Sequence, residues 1–225
     1  MLNQSVSGLE SGQRPPQSSP NVDDHFARYQ RLTVRQQKRW LEMLTSFEVK
    51  NTYDVFDESG AATLRVREQG KGFFGLLRRL FLGPARPFRV HVSDTKTAAV
   101  LLDLERPFRF IFHRLDVRTL DGRVLGAIQK KWSWLRRIYH IESESGHVVA
   151  ELFGPLFRPW TFEIRVQDRE VGLIQKKWSG LGKELFTDAD NFGVDLAGIK
   201  ESRIKLLAFA AIVLIDVVHF EKAKR

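Results

Sequence analysis

Six residues, Gly70-Lys71-Gly72-Phe73-Phe74-Gly75, spell a dinucleotide-phosphate fingerprint letter for letter. That chemistry needs the glycines in a strand–turn–helix within a βαβ unit, where backbone N–H groups can face a pyrophosphate. No such unit surrounds them, and the match is set aside. The six His (His25, His91, His113, His140, His147, His219) show no His-x-x-x-His metal spacing, and no Gly-x-Ser-x-Gly nucleophile elbow is present. Nothing here argues for a bond-making enzyme.

Two segments carry recognition chemistry instead. Phe73–Leu82 places Arg78 and Arg79 among Phe73, Phe74, Leu77, Phe81 and other bulky apolar residues. A membrane-dipping element has this composition, with apolar groups at the acyl boundary and Arg at the phosphates. A plug closing one end of a barrel would have it too. The second segment is Lys130-Lys131-Trp132, followed by Trp134, Arg136 and Arg137. It reads either as a phosphate contact with its indole at a lipid or base interface, or as an inward Trp with solvated lysines at a strand end.

The elements that must hold these groups follow from composition and period. In 225 residues there are 36 Lys+Arg against 27 Asp+Glu, a formal charge of +9, with 17 Phe, 5 Trp and 43 % hydrophobic residues. Such a chain builds a sizeable core, and its basic surplus points to an anionic partner, either a membrane face or nucleic acid. With zero Cys it offers no disulfide, thiolate metal site or thioester lipid anchor. Residues 1–24, rich in Gly, Ser and Pro, read as a disordered tail, with order beginning near Val22 and residues 25–225 forming one domain. A helix is expected over residues 33–44, capped by Thr33. Beyond it, period-two segments recur: Phe47-Val49, Tyr53-Val55, Leu64-Val66, Phe88-Val90-Val92, Phe108-Phe110-Phe112, Val124-Gly126-Ile128, Val148-Ala150-Leu152, Phe162-Ile164-Val166 and Val171-Leu173. Many short strands without intervening helices predict an antiparallel barrel or sandwich.

An internal repeat supports this reading. Gly126-Ala127-Ile128-Gln129-Lys130-Lys131-Trp132-Ser133 recurs as Gly172-Leu173-Ile174-Gln175-Lys176-Lys177-Trp178-Ser179, with Arg106-Pro107-Phe108 and Arg158-Pro159-Trp160 as strand starts before the two copies. The unit is a β-hairpin used at least twice. Near the C-terminus, the 13 residues 206–218 between Lys205 and His219 are apolar on every side except for Asp216. Spanning a bilayer takes about 20 residues. A helix over 200–219 buried at the centre of a barrel is therefore expected rather than a single-pass anchor, with Leu207, Phe209, Ile212 and Leu214 in the core. Asp216 would be hydrogen-bonded inside the barrel or directed to its mouth.

The run Lys176-Lys177-Trp178-Ser179-Gly180, then Glu184-Leu185-Phe186-Thr187-Asp188-Ala189-Asp190-Asn191-Phe192-Gly193 and the apolar helix ending Leu214-Ile215-Asp216, resembles the phospholipid scramblase family of the tubby-like superfamily. Phe47–Val55 and Leu104-Glu105-Arg106-Pro107 match its early landmarks, and the resemblance covers roughly residues 34–221. It implies a mainly β fold, a closed antiparallel barrel of about twelve strands around a buried hydrophobic C-terminal helix. It also implies bidirectional, ATP-independent, calcium-stimulated movement of phospholipids between leaflets, from a peripheral position on the cytoplasmic face of a membrane. Animal members carry a palmitoylated cysteine cluster that this sequence lacks. The family's proposed calcium loop starts at the position of Asp188 and resembles an EF-hand, which makes Asp188, Asp190, Asn191 and Asp195 candidate ligands. Asp195 falls out of register, and Ile199 stands where a carboxylate belongs. The alternative is a hairpin turn held by Asp and Asn, with Gly193 at positive φ. Three functions stay open: a lipid translocator, a peripheral module for anionic phospholipids or phosphoinositides, and a nucleic-acid binder.

Overall fold

The computed structural model describes residues 21–36, 52–69, 87–108, 112–176 and 191–220. Its architecture is mainly β: a closed barrel of twelve antiparallel strands, each paired with its neighbours in sequence, and β1 (Arg31–Gln36) paired with β12 (Asn191–Asp195) to seal the cylinder. Between them run β2 (Thr52–Phe56), β3 (Ala62–Gln69), β4 (Phe88–Asp94), β5 (Val100–Arg106), β6 (Arg114–Arg118), β7 (Val124–Lys131), β8 (Arg137–Ser143), β9 (Val148–Gly154), β10 (Thr161–Val166) and β11 (Arg169–Lys176). Closure leaves no unpaired edge, so alternate residues can turn wholly inward. Leu32, Val34, Val55, Leu64, Val66, Leu104, Ile128, Ile141 and Ile164 do so and are buried.

The axis of the barrel is filled by helix α2 (Ser202–Ile215), which continues into a π-helical turn at Asp216–Phe220. Every side chain from Ile204 to Val218 is buried, including Leu207, Phe209, Ile212, Leu214 and Asp216, because the barrel wall surrounds the helix on all sides. No helix among the described residues is long and apolar enough to cross a membrane. Helix α1 (Val22–Ala27) closes the end where α2 begins. Asn21 Oδ1 caps it by accepting from Asp23 N–H, Phe26 packs on Phe209 with ring centroids 5.5 Å apart, and Arg203 pairs with Asp23 at 2.6 Å. Buried Lys205 donates from Nζ to the carbonyls of Ala27 (3.0 Å) and Tyr29 (2.8 Å), satisfying the orphan acceptors at the end of α1.

Both copies of the repeat are second strands of hairpins, β6–β7 and β10–β11. In each, the repeated glycine stands where the pairing register slips, opposite Val117 and Ile164. The reason is steric. A Cβ on Gly126 would lie 2.4 Å from Glu142 O and 2.8 Å from Leu207 Cδ1, and one on Gly172 would lie 2.5 Å from Asp195 O. Only glycine allows the bulged backbone to approach its neighbours this closely.

Several expectations are corrected. Residues 31–36 form a strand rather than the start of a helix, because Leu32 and Val34 alternate into the core while β1 is paired on both sides. Phe108 and Phe112 belong to no strand. Arg106 ends β5 instead of opening the first repeat, and the repeat's partner strand is β6. Val22, near which order is expected to begin, starts α1 and is buried. Gly193 sits within β12 and is not among the glycines at positive φ, so the element is a ladder strand there rather than a turn. Residues 1–20, 37–51 and Phe110 lie outside the described residues, as do Phe73, Phe74, Leu77, Arg78, Arg79 and Phe81, and Lys177, Trp178, Asp188 and Asp190.

Candidate membrane-facing rim

The two ends of the barrel differ in the chain that connects strands. At the α1 end the intervals between strands are two to five residues, closed by tight turns such as Asp57–Gly60 and Thr119–Gly122. At the opposite end they run from five to eighteen residues. Long connections on a rigid frame are where recognition groups are placed. Here they bring Phe108 and Phe112 (β5–β6), Trp132, Trp134 and Leu135 (β7–β8), and Leu156, Phe157 and Trp160 (β9–β10) to one rim, all exposed.

These exposures are large. Phe157 is 92 % exposed, Trp134 87 % and Trp132 72 %, and the two indoles lie 6.3 Å apart. In the first repeat copy Trp132 faces out, which corrects the inward-Trp reading, while Lys131 is exposed and Lys130 half-buried. The second copy differs, because Lys176 is buried. In both copies, nonetheless, the same backbone contact recurs, with Lys130 N–H donating to His113 O (2.7 Å) and Lys176 N–H to Trp160 O (2.8 Å).

One arginine holds the rim in shape. Half-buried Arg137, at the start of β8, donates to the carbonyls of Pro155 (3.2 Å), Arg158 (2.9 Å) and Pro159, which ties the β9–β10 connection to the neighbouring strand. Its guanidinium also lies 4.6 Å above the Phe162 ring. Desolvation lowers its pKa from the ordinary arginine value, since its partners are carbonyl dipoles. Arg137 is therefore a positioning group, whereas exposed Arg136 rests on the Phe153 ring at 5.3 Å with its charge available at the surface.

Beneath the rim lies a layer of buried polar groups. Tyr53 O–H donates to Asp216 Oδ2 at 2.7 Å, and Lys176 Nζ stands 3.8 Å from Asp216 Oδ1 and 5.4 Å from the Phe192 ring. Arg106, buried beside the Phe88 ring, meets His113 Nδ1. Asp216 thus ends the apolar helix buried and hydrogen-bonded inside the barrel, the first of the two placements its position implied. Its N–H is shared between the Ile212 and Val213 carbonyls where α2 widens into the π turn.

Of the four calcium candidates, Asn191 and Asp195 are among the described residues. Asn191 and Asp195 lie at the two ends of β12, held in ladders with β1 and β11. Asp195 is engaged by Arg31 Nε (3.4 Å) and the Ala197 N–H (3.0 Å), and Ile199 is in the core. A twelve-residue calcium loop needs a sharply turned backbone over these same positions.

The sequence showed the Lys-Lys-Trp segment but missed Phe112, Leu135, Leu156, Phe157 and Trp160. Gly154-Pro155 and Pro159 around Leu156-Phe157 were the available signal, since bulky apolar residues between two prolines cannot continue a strand.

A model of the family described as Scramblase matches residues 10–222. The chain is 28 % identical over 222 residues to Phospholipid scramblase 1 of Homo sapiens, covering 92 % of this chain and 68 % of that protein. It is 28 % identical over 224 residues to Phospholipid scramblase 2 of Bos taurus, covering 93 % of this chain and 75 % of that one. A phospholipid scramblase family protein of Schizosaccharomyces pombe is 28 % identical over 171 residues, 72 % of this chain and 44 % of the relative. No solved structure matches the chain.

Proposed function

This chain belongs to the Scramblase family, and from that premise we propose that it docks peripherally on the cytoplasmic face of a phospholipid membrane through its aromatic rim and assists bidirectional, ATP-independent movement of phospholipids between leaflets. The observation that carries the reading is the exposure of Trp132, Trp134, Leu135, Leu156 and Phe157 together at one barrel end. Apolar side chains left in water on this scale mark an interaction surface. Indoles are suited to the headgroup level, and Lys131, Arg136 and Arg158 stand where lipid phosphates would meet them. A surface for nucleic acid would carry many more cations among its aromatics.

A second reading, membrane binding without translocation, is favoured by the helix that fills the barrel. With α2 packed from wall to wall, the barrel axis offers lipid no route.

Vesicle co-sedimentation and a fluorescent-lipid reduction assay on proteoliposomes test both. The wild type is expected to bind vesicles containing anionic lipid, each rim cation contributing about 1 kcal/mol that weakens with salt. Trp134→Glu combined with Phe157→Glu should abolish binding with the fold intact. Undiminished binding of that double variant would sink the rim reading. Binding without loss of inner-leaflet fluorescence would decide for the second.

A further inference from the structure

Below the rim, the outer wall of the barrel differs from one flank to the other. The pairing registers set Ile138, Phe153, Glu163 and Leu173 side by side in one row across β8, β9, β10 and β11. All four are half-buried and outward, since their chain neighbours Tyr139, Leu152, Ile164 and Ile174 are the buried, inward residues. Three of the row are apolar, and Glu163 has its charge met by Arg165 at 2.6 Å. The row begins one residue inside the rim end of β8 and finishes three residues inside that of β11, a depth of about 10 Å at about 3.3 Å per residue. The next row down, His140, Glu151, Arg165 and Glu170, is polar or charged throughout. An apolar strip thus hangs below Trp134, Leu135, Phe157 and Trp160 and stops at a polar border.

The flank across β3 to β6 has no such strip. Its first outward row below the rim is Gln69, Arg89, Glu105 and Asp116. Ion pairs knit it together: Arg89 Nε donates to Asp103 (2.8 Å) and Arg114 Nε to Asp116 (2.8 Å). Taking such pairs out of water is costly, whereas covering Ile138, Phe153 and Leu173 is favourable. Two guanidiniums mark the edge of the apolar strip, with Arg136 and Arg165 resting on the Phe153 ring at 5.3 and 3.8 Å. Arginines over an apolar surface keep their charge at a lipid–water boundary.

We infer that the membrane-facing surface continues from the rim onto the β8–β11 flank, so that the barrel docks tilted. Ile138, Phe153 and Leu173 then lie at the acyl boundary, Arg136 and Arg165 at the lipid phosphates, and the β3–β6 flank in water. The inference rests on the membrane reading above and adds an orientation to it. An upright barrel would insert the rim alone and hold all flanks at one height.

With zero Cys in the chain, a single nitroxide can be attached at a chosen position. Its depth is read by power saturation with oxygen and a water-soluble nickel chelate, on vesicles of phosphatidylcholine and phosphatidylserine. The labelled positions are Leu135→Cys at the rim, Leu173→Cys and Ile138→Cys in the strip, and Arg67→Cys on the other flank. Arg67 is two residues inside the rim end of β3, closer to the rim than Leu173 is. Upright docking therefore puts the Arg67 label at least as deep as the Leu173 label. Tilted docking reverses the order, with the Leu135, Ile138 and Leu173 labels reached by oxygen and the Arg67 label by the chelate. Unlabelled Leu173→Gln should weaken vesicle partition about fivefold, as loss of about 1 kcal/mol of apolar burial would give. A wild-type thermal midpoint verifies the fold of each variant. An inserted Leu135 label with both strip labels in water, or Arg67 and Leu173 labels at equal depth, overturns the tilt and leaves the rim reading standing. A Leu135 label in water beside inserted strip labels sinks the rim reading alone, and failure to bind vesicles sinks both.

Discussion

His25 faces a crowded set of partners at the α1 end of the barrel. Its Nε2 stands 3.7 Å from Asp94 Oδ2 and 3.0 Å from the Tyr29 hydroxyl, and Arg28 Nη2 reaches both ring nitrogens. Burial, helped by the Arg28 charge and opposed by Asp94, pushes its pKa down to about 4. An unfolded imidazole titrates near 6.5, so between those two pH values the unfolded chain binds the additional proton. The stability due to neutral His25 is thus complete above about pH 6.5 and declines as the pH falls toward 4. We expect a loss of about 2 kcal/mol across that window, less than the full shift implies because Arg28 and the ring edge meet solvent. His25→Gln should remove this slope; urea midpoints at pH 4.5 and 7 would show it, and an unchanged slope in the variant would assign the effect elsewhere. Nothing in the sequence pointed to His25, because the groups that perturb it arrive from β4 and from the neighbouring turn of α1.

Elements differ in how far their sequence declares them. Helix α2 was legible, since an all-apolar stretch too short to span a bilayer must lie inside protein. Leu214 is wholly buried there, so Leu214→Asp should cost about 4 kcal/mol or more by burying an unpaired charge. A circular-dichroism melt showing a native midpoint would refute the central-helix account. Strand β1 was not legible, because Arg35, Gln36 and the residues after them are good helix formers, and the tertiary pairing that overrides propensity involves β12, far along the chain. The hairpin repeat was readable from identity alone, but its glycines gained a cause only from the carbonyls crowding them. Strand β12 carries a further expectation. With Asn191–Asp195 committed to the ladder, calcium affinity should be at best about millimolar, and Asn191→Ala with Asp195→Ala should leave it unchanged. Calorimetric detection of micromolar calcium binding that this pair of substitutions abolishes would contradict the strand's commitment. Arg137→Ala offers a test of the rim as an element. Releasing three carbonyls should increase protease sensitivity at 155–160 and weaken vesicle binding, with a stability loss of about 2 kcal/mol. Resistance equal to wild type would show that the prolines alone hold the connection.

The molecule as a whole divides its labour between its ends. Tight turns and α1 close one end, and exposed aromatics above a buried Lys176–Asp216–Tyr53 layer form the other. The sequence conveyed barrel, helix and membrane chemistry, yet it could not place Phe112, Phe157 and Trp134 on a common rim, because only the alternation of strand direction does so. Arg31 of β1 pairs with Asp195 of β12 across 164 residues, and the helix that both strands enclose is translated later still. A ribosome-bound chain therefore carries eleven strands with neither a seam partner nor a core to fold around. Native structure must await synthesis of α2, and loop-closure entropy over so long a separation makes that last step slow. Loss of residues 206–225 should therefore leave aggregate rather than a smaller barrel.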